Sequence, residues 1–445
     1  MRKDKKYYST ISDNKKAIFK MEKINIVIVG GGFAGVNFAK QLSKDQDFNI
    51  TLVDKNNYHF FPPLLYQVAT AFIETTNITY PFRKMFQKKR NIRFHNGTFL
   101  TIQAKDNFIE TDTGVLKYDH LVLALGTQTN FFGNENIKNY AFSMKSIDDA
   151  VNLRNKMLLN LERISRLTDQ SQRMKLSNIV IAGGGPTGVE LAGMLAEMGS
   201  KIKDKDYPEL KEFGKIYLVN SSDSLLRVMS QQSQREALQI LGKLGVVIKL
   251  NTSVKDFDNE IVTLSSGEQI DSPILIWASG VSLPEIKGLP EQSVGAGKRI
   301  LVDPYNLVLD TDNIYALGDM CLLASDASYP HGHPQLAQVA IQQGKLLAKN
   351  MILMYAGKKM IPFRYVNKGS MAIISKYKAV VDLPSGYFSG FFAWLTWLFV
   401  HLIPIAGFRN KAKISFNWFF SMITIDPSLR VIIRPESPNH HKGKE

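Results

Sequence analysis

Residues 25–37 read NIVIVGGGFAGVN, and residues 178–190 read NIVIAGGGPTGVE. Each begins as a continuous apolar run, the pattern of a strand buried on both faces of a parallel sheet. Each then passes through a glycine triplet into a stretch with the spacing of an amphipathic helix. In the first copy Gly30, Gly32 and Gly35 keep the G-x-G-x-x-G order, as do Gly183, Gly185 and Gly188 in the second. The three positions divide the work: a tight turn, close approach of backbone to a phosphate, and close packing of helix on strand. Phe33 and Ala34 in the first copy, and Pro186 and Thr187 in the second, then border a helix N-terminus that favours negative charge.

The surroundings strengthen both readings. After the first loop, FNITLVD (48–54) ends in Asp54, about 20 residues past the last glycine, where an acid accepts hydrogen bonds from a ribose 2′-hydroxyl. Lys55 follows it. The equivalent strand of the second copy, KIYLVN (215–220), is delayed by the charged insertion 201–214 and ends in Asn220 instead of an acid. The repetition continues in FIETDTGVLKYDHLVLALGT (108–127) and IVTLSSGEQIDSPILIWASG (261–280), which share an alternating strand, a glycine turn and a second apolar strand. Gly126 and Thr127 close the first of these segments and Gly280 the second. The chain is thus expected to be α/β, with two related Rossmann-like dinucleotide-binding domains.

The 445 residues are enough for two or three domains, and 44% hydrophobic with 21% charged residues is a globular composition. The single cysteine, Cys321, excludes an intramolecular disulfide scaffold. A net charge of +15 points to nucleic acid or to an anionic membrane. No zinc-finger spacing or basic helix with interleaved aromatics appears, so no nucleic-acid partner is expected. His331, His333 and the histidine pair near the C-terminus have no acidic or cysteine companion at ligand spacing, so no metal is expected and they read as loop and tail residues. Residues 1–22 carry basic side chains without an apolar run and read as a mobile extension, with Met21 a second candidate initiator.

After the second unit, NLVLDTDNIYALGDM (306–320) is an apolar strand ending at Gly318 and Asp319. With the two glycine loops, this pair resembles the FAD-dependent pyridine nucleotide-disulfide reductase-like flavoproteins. The resemblance implies that the first loop holds FAD, that the second holds NADH in a domain inserted into the FAD domain, and that Asp319 contacts the ribityl chain. The expected segments are an extension (1–22), the FAD domain in two parts (23–145 and 295–350), the NAD(P)H domain (146–294) and a C-terminal region (351–445) for quinone, dimer and membrane contacts.

A disulfide relay needs two thiols within bonding distance, and Cys321 stands alone. Peroxidase- and oxidase-type relatives use one cysteine after the acidic strand, where this chain has NNYHFFPPLLYQVATA (56–71). Cys321 reads as a small packed residue. YHFFPPLLYQVATA, GGGPTGVELAGMLAE (183–197), ALGD (316–319) and PQLAQVAIQQG (334–344) together resemble type II NADH:quinone oxidoreductase, the single-subunit, non-pumping respiratory dehydrogenase. The resemblance runs from about Lys23 into the C-terminal region. It implies a hydride passed from NADH to FAD, two electrons passed on to a membrane quinone, a homodimer, and a place on the cytoplasmic face of the cell membrane.

Gln335, Leu336 and Ala337 of the last motif are assigned to the flavin site. Gln338 and Gln342, four apart on one helix face, are assigned to the quinone, since an amide donates to a carbonyl without adding charge to an apolar pocket. Two helical glutamines alone are more often solvent-facing. Glu190 has two readings: the partner of Thr187 in a T-x-x-E capping box, or a group near the meeting of nicotinamide and flavin. Lys376 is either a donor to the quinone or a solvated lysine.

Residues 386–408 contain no Asp, Glu, Lys or Arg, but glycines, Pro404 and tryptophans interrupt a spanning reading. They and 409–424, with Arg409, Lys411 and Lys413, read as two amphipathic helices in the bilayer surface. Asn220 lacks the charge that repels a 2′-phosphate, and Arg227 is near in sequence, so NADPH is a second candidate nucleotide behind NADH. Two rivals remain: a soluble ferredoxin-type reductase without need of the apolar C-terminal stretch, and an FAD-carrying, non-enzymatic interaction protein.

Overall fold

The computed structural model describes residues 23–210, 214–424 and 430–432, so the 1–22 extension, Met21 and the C-terminal histidine pair lie outside the described residues. In chain order the first unit is β1 (Ile24–Val29), α1 (Phe33–Leu42), β2 (Phe48–Asp54), the short α2 (Leu65–Ala69), β3 (Ile92–Asn96), a three-stranded antiparallel layer β4 (Phe99–Gln103), β5 (Phe108–Thr111) and β6 (Gly114–Lys117), and β7 (His120–Leu123). The second unit is β8 (Phe142–Ser143), α3 (Ile147–Ser165), β9 (Ile179–Ala182), α4 (Pro186–Asp206), β10 (Ile216–Val219), α5 (Gln231–Lys243), β11 (Val247–Lys249), a second antiparallel layer β12 (Val254–Phe257), β13 (Ile261–Leu264) and β14 (Gln269–Asp271), and β15 (Leu275–Trp277). Then come β16 (Ile314–Ala316), α6 (Ala337–Tyr355), the antiparallel β17 (Ser370–Ser375), β18 (Lys378–Leu383) and β19 (Gly386–Gly390), and the helices α7 (Phe391–Leu402) and α8 (Phe408–Thr424).

The two five-stranded sheets are built alike. The first runs β16-β7-β1-β2-β3 and the second β8-β15-β9-β10-β11, and every pair in both is parallel. Because β16 returns to the edge of the first sheet after the whole second sheet has been laid down, one unit is inserted in the other. Strand β8 pairs with β15, so the second sheet begins at Phe142, a few residues before the expected boundary at 146. Ile26, Ile28, Leu52 and Val122 are sealed in the first sheet, and Val180, Ile181, Leu218 and Leu275 in the second, as continuous apolar strands demand.

One further correction concerns 386–390. These residues form β19 on the edge of the third sheet, and the helix starts only at Phe391 after Gly390, which has a φ of 80°. Tyr387, Phe388 and Ser389, bracketed by the two glycines, pair with Asp382, Val381 and Val380 of β18, which makes this an edge strand.

Candidate active site

The first glycine loop is fixed by its backbone. Gly30 sits at φ 106° and its N–H reaches the Val53 carbonyl at 2.8 Å. A Cβ on Gly35 would strike the Gly30 carbonyl, so only glycine lets α1 lie this close to β1. Gly32 caps α1 with no side-chain hydrogen bond, and a Cβ there meets nothing, which leaves the N–H groups of Phe33, Ala34 and Gly35 open to an anion. The second loop repeats this atom for atom. Gly183 has φ 119°, its N–H bonds to Val219 at 2.8 Å, a Cβ on Gly188 would strike the Gly183 carbonyl, and Gly185 caps α4 without a side-chain bond.

That last fact corrects the capping-box reading. Thr187 lies inside the helix, after Gly185 and Pro186, so the T-x-x-E spacing does not cap it. Glu190 is thereby left to another task.

Asp54 accepts the Gly31 N–H at 2.7 Å through one oxygen and the Asn56 N–H at 2.8 Å through the other. Burial raises its pKa and those two donors oppose the rise. Asn220 takes the same position in the second unit: its Oδ1 accepts the Gly184 N–H at 3.0 Å and its Nδ2 donates to the Ser224 carbonyl at 2.9 Å. Arg227 is exposed. Lys55 is exposed beside Asp54, and Gly126 and Gly280 match at φ 69° and 72°.

Asp319 sits in a 3₁₀ turn, Gly318–Met320, between the ends of β16 and α6. Among the described residues no donor reaches its carboxylate. Burial raises its pKa, opposed by the Lys145 and Arg299 charges. Lys145 also donates to Thr127 Oγ1 at 3.2 Å, joining the Thr127 and Asp319 ends of one cradle. Gln335 Nε2 donates to the Asp319 carbonyl at 3.0 Å, and α6 starts at Ala337 with Leu336 as an uncapped N-terminus. A half-buried carboxylate without a hydrogen-bond donor, an uncapped glycine turn and a second open helix end fit a dinucleotide with an anionic diphosphate and a hydroxylated chain. Lys145 and Arg299 escaped the sequence reading, because no local pattern ties them to Asp319.

Cys321 is 2% exposed beside Gln343 and the Gly318 carbonyl, and burial pushes its thiol up to about 11. It is packed and protonated at neutral pH, as a residue outside the electron path would be.

The glutamines of α6 differ from their assignment in one respect. Gln338 donates to the Gly369 carbonyl at 3.0 Å and accepts the Lys368 N–H at 3.1 Å. Gln342 pairs in the same two-way manner with Val366, both distances 3.0 Å. Both amides act as rungs that fasten the extended segment 366–369 to α6, which fixes the entry of β17.

Glu190 faces β17 instead. It is 8% exposed, its Oε1 accepts the Ile373 N–H at 3.4 Å, and burial pushes its carboxyl up to about 8. The Trp397 indole N–H, without a hydrogen bond of its own, lies near enough to oppose that rise slightly. Farther along α4, a narrow pocket of about 60 Å³ is lined by Gln67, Phe72, Met194, Glu197, Met198, Lys201, Ile373, Lys376, Trp394, Leu398 and Trp418. Lys376 thus borders a pocket, with its ammonium 4.9 Å from the Tyr377 ring centre. Trp418 Nε1 donates to Gln67 Oε1 at 3.0 Å and Gln67 Nε2 to the Tyr66 hydroxyl at 3.2 Å, so the PPLLYQVATA segment forms the pocket floor.

The pocket walls α7 and α8 turn their other faces outward. Phe392 (74% exposed), Phe399 (67%) and Phe408 (88%) are the extreme cases, while Trp394 and Trp397 of the same helix are buried. Among the described residues no helix is long and apolar enough to cross a membrane. None of them forms a metal-binding group either. His333, however, is no loose loop residue: it is 3% exposed and pairs with Asp326 at 3.0 Å.

Comparison with known proteins accords with this geometry. The chain matches the family described as pyridine nucleotide-disulphide oxidoreductase over residues 24–344 and the NDH2 C-terminal domain over residues 367–424. It is 34% identical to the type II NADH:quinone oxidoreductase Ndh of Mycobacterium tuberculosis over 90% of this chain and 88% of that protein. The chain belongs to the type II NADH:quinone oxidoreductases. A second relative, NdhA of the same organism, is 33% identical over 89% of this chain and 87% of its own length. Among solved structures, NDH2 from Plasmodium falciparum in complex with NADH superposes with a TM-score of 0.84 over 93% of this chain and all of that one, at 22% identity, a likeness of fold. The C-terminal domain match covers β17, β18, β19, α7 and α8, of which β17, α7 and α8 line the pocket around Lys376 together with α4.

Proposed function

We propose that this member of the type II NADH:quinone oxidoreductases receives its quinone from the membrane through the pocket between α4, β17, α7 and α8. The chain is an NADH:quinone oxidoreductase that uses FAD, and the overall reaction is NADH + H⁺ + quinone → NAD⁺ + quinol. The two-electron carrier chemistry belongs to FAD when it is bound. The protein's residues supply position and polarity: the Gly30–Gly35 turn, Asp54 and Asp319 for FAD, and the Gly183–Gly188 turn with Asn220 for the nucleotide.

The observation that carries the quinone assignment is one wall with two faces. Trp394 and Leu398 of α7 line the pocket, while Phe392 and Phe399 of the same helix point outward. A lipid-soluble ring entering beside Trp394 meets Gln67 and Lys376 as donors and Glu190 behind them. The uncapped, exposed aromatic faces, with Arg409, Lys411 and Lys413 at the start of α8, suit a peripheral position on an anionic bilayer. That position is on the cytoplasmic face, where NADH is made, and a homodimer is the assembly the family resemblance implies.

Trp394→Ala tests the pocket. It is expected to raise the KM for a soluble quinone about tenfold or more and to leave ferricyanide reduction unchanged. An unchanged quinone KM contradicts the assignment.

A further inference from the structure

The two crossings between the FAD unit and the inserted unit run side by side, Gln128–Thr129 pairing antiparallel with Val281–Ser282. Just past that pairing the outgoing chain turns over the carboxyl end of β15. Asn130 fixes the turn: its N–H donates to the Gly280 carbonyl at 3.3 Å, its carbonyl accepts the Trp277 indole N–H at 2.8 Å, and its side-chain oxygen accepts the Phe132 N–H at 2.8 Å. Phe132 is thereby held at φ 52°, a left-handed conformation that strains a bulky residue. Its ring lies on Gly280, where a Cβ would come within 2.6 Å of it, and stands edge-on to Trp277 at 6.3 Å between ring centres. The side chain is nevertheless 68% exposed. Backbone strain that presents an open aromatic face does little for the fold, and such outliers collect where a ligand is held.

Phe132 also stands where the second sheet reverses its strand order. In β8-β15-β9-β10-β11, the strands β10 and β11 follow β9 on one side and β15 and β8 lie on the other. The crevice between the carboxyl ends of β9 and β15 is therefore the switch point at which such a sheet binds a dinucleotide. The Gly183 turn forms its floor, for a Cβ there would strike the Ala278 carbonyl and the Ser279 hydroxyl. Gly280 and the Phe132 ring continue from that floor on the β15 side. Asn220, at the end of β10, lies on the opposite side of the glycine turn, where the adenosine ribose belongs. With the diphosphate at the Gly183–Gly188 turn, the half of the dinucleotide that runs toward β15 is the nicotinamide nucleoside.

We propose that Phe132 is a substrate contact, its exposed ring packing against the nicotinamide nucleoside of NADH and fixing where that half lies along the crevice. The inference rests on the assignment of NADH to the second glycine loop. An aromatic face and a nicotinamide ring or its ribose shed water together without either needing a hydrogen bond from the other. The contribution is confined to one half of the ligand, since adenosine and diphosphate lie on the Asn220 side of the turn.

The test uses the full-length, FAD-loaded protein, titrated calorimetrically with NAD⁺ and, separately, with ADP, which keeps the adenosine and diphosphate and lacks the nicotinamide nucleoside. Phe132→Gly is expected to weaken NAD⁺ binding about tenfold and to leave ADP binding within about twofold. Glycine adopts the left-handed turn without strain, so the melting temperature stays within about 4 °C of the parent's. Phe132→Tyr keeps the ring and is expected to hold NAD⁺ within about twofold of the parent's affinity. Equal weakening of NAD⁺ and ADP overturns the proposal, because the ring then acts through the turn and not on the nicotinamide half. Unchanged affinity for both ligands overturns it, and so does a loss of NAD⁺ affinity that Phe132→Tyr shares. The assignment of the nucleotide to the second loop fails separately if Asn220→Asp leaves the preference between NADH and NADPH unchanged.

Discussion

Asp54 and Asn220 hold the same place in two copies of one unit and differ by a charge. Both satisfy the second N–H of their glycine loop, so the substitution in the second copy preserves the turn and removes only the negative field. An acid at this position binds a 2′-hydroxyl and repels a 2′-phosphate. Asn220→Asp is therefore expected to raise the ratio of kcat/KM for NADH over NADPH by at least about tenfold. Glu190 offers a second test at this scale. Its folded pKa of about 8 stands above that of an unfolded glutamate, so its contribution to stability is fully present below about 4.5 and is lost as pH rises through 8. Glu190→Gln should lack this dependence, so the melting temperature of the variant relative to the parent should climb between pH 5 and pH 9. The glycines, Asp54 and Asp319 were legible in the sequence because each follows its strand at a fixed local distance. Lys145, Tyr66 and Glu197 were not, since their meaning comes from elements far away in the chain. The glutamine pair shows the same limit: i, i+4 spacing put Gln338 and Gln342 on one face, but their partners are backbone groups of a segment with no pattern of its own.

At the scale of elements, α7 and α8 each have a buried face and an exposed aromatic face. Ala393, Trp394 and Trp397 are sealed inward, with Trp397 stacked on His401 at 3.8 Å between ring centres, and the phenylalanines project outward. Fully burying one such ring is worth about 1.5–3 kcal/mol. Replacing Phe399 and Phe408 by Asp is expected to weaken binding to vesicles containing anionic lipid by about 100-fold or more, measured by cosedimentation, while turnover with a soluble quinone persists. The interfacial expectation leans on glycines, Pro404 and tryptophans, yet the tryptophans are buried and phenylalanines form the exposed face; the vesicle measurement tests that expectation. The strand β19 inside the aromatic stretch was not legible, because five residues carry too short a period to separate an edge strand from a helix start.

The whole molecule is one dinucleotide-binding plan used twice, the second copy threaded between β7 and β16 of the first, with a C-terminal layer closing a pocket over α4. Parallel sheets, crossovers and insertion were foreseeable from two glycine loops and the late Gly-Asp pair, since each piece is a local signature of a fixed topology. The packing of α4 on β17 was not foreseeable, because it depends on a glycine, Gly193, whose role appears only once both elements are placed. The proposed electron path at this scale bypasses sulfur, and Cys321 is buried with its thiol pushed up to about 11. The direct test is anaerobic mixing of the yellow, FAD-loaded Cys321→Ser protein with NADH and then with a soluble quinone, followed by flavin absorbance. The account predicts that one equivalent of NADH bleaches the flavin and one equivalent of quinone restores it, at rates like the parent's. A variant that bleaches but is no longer reoxidised by quinone would contradict it.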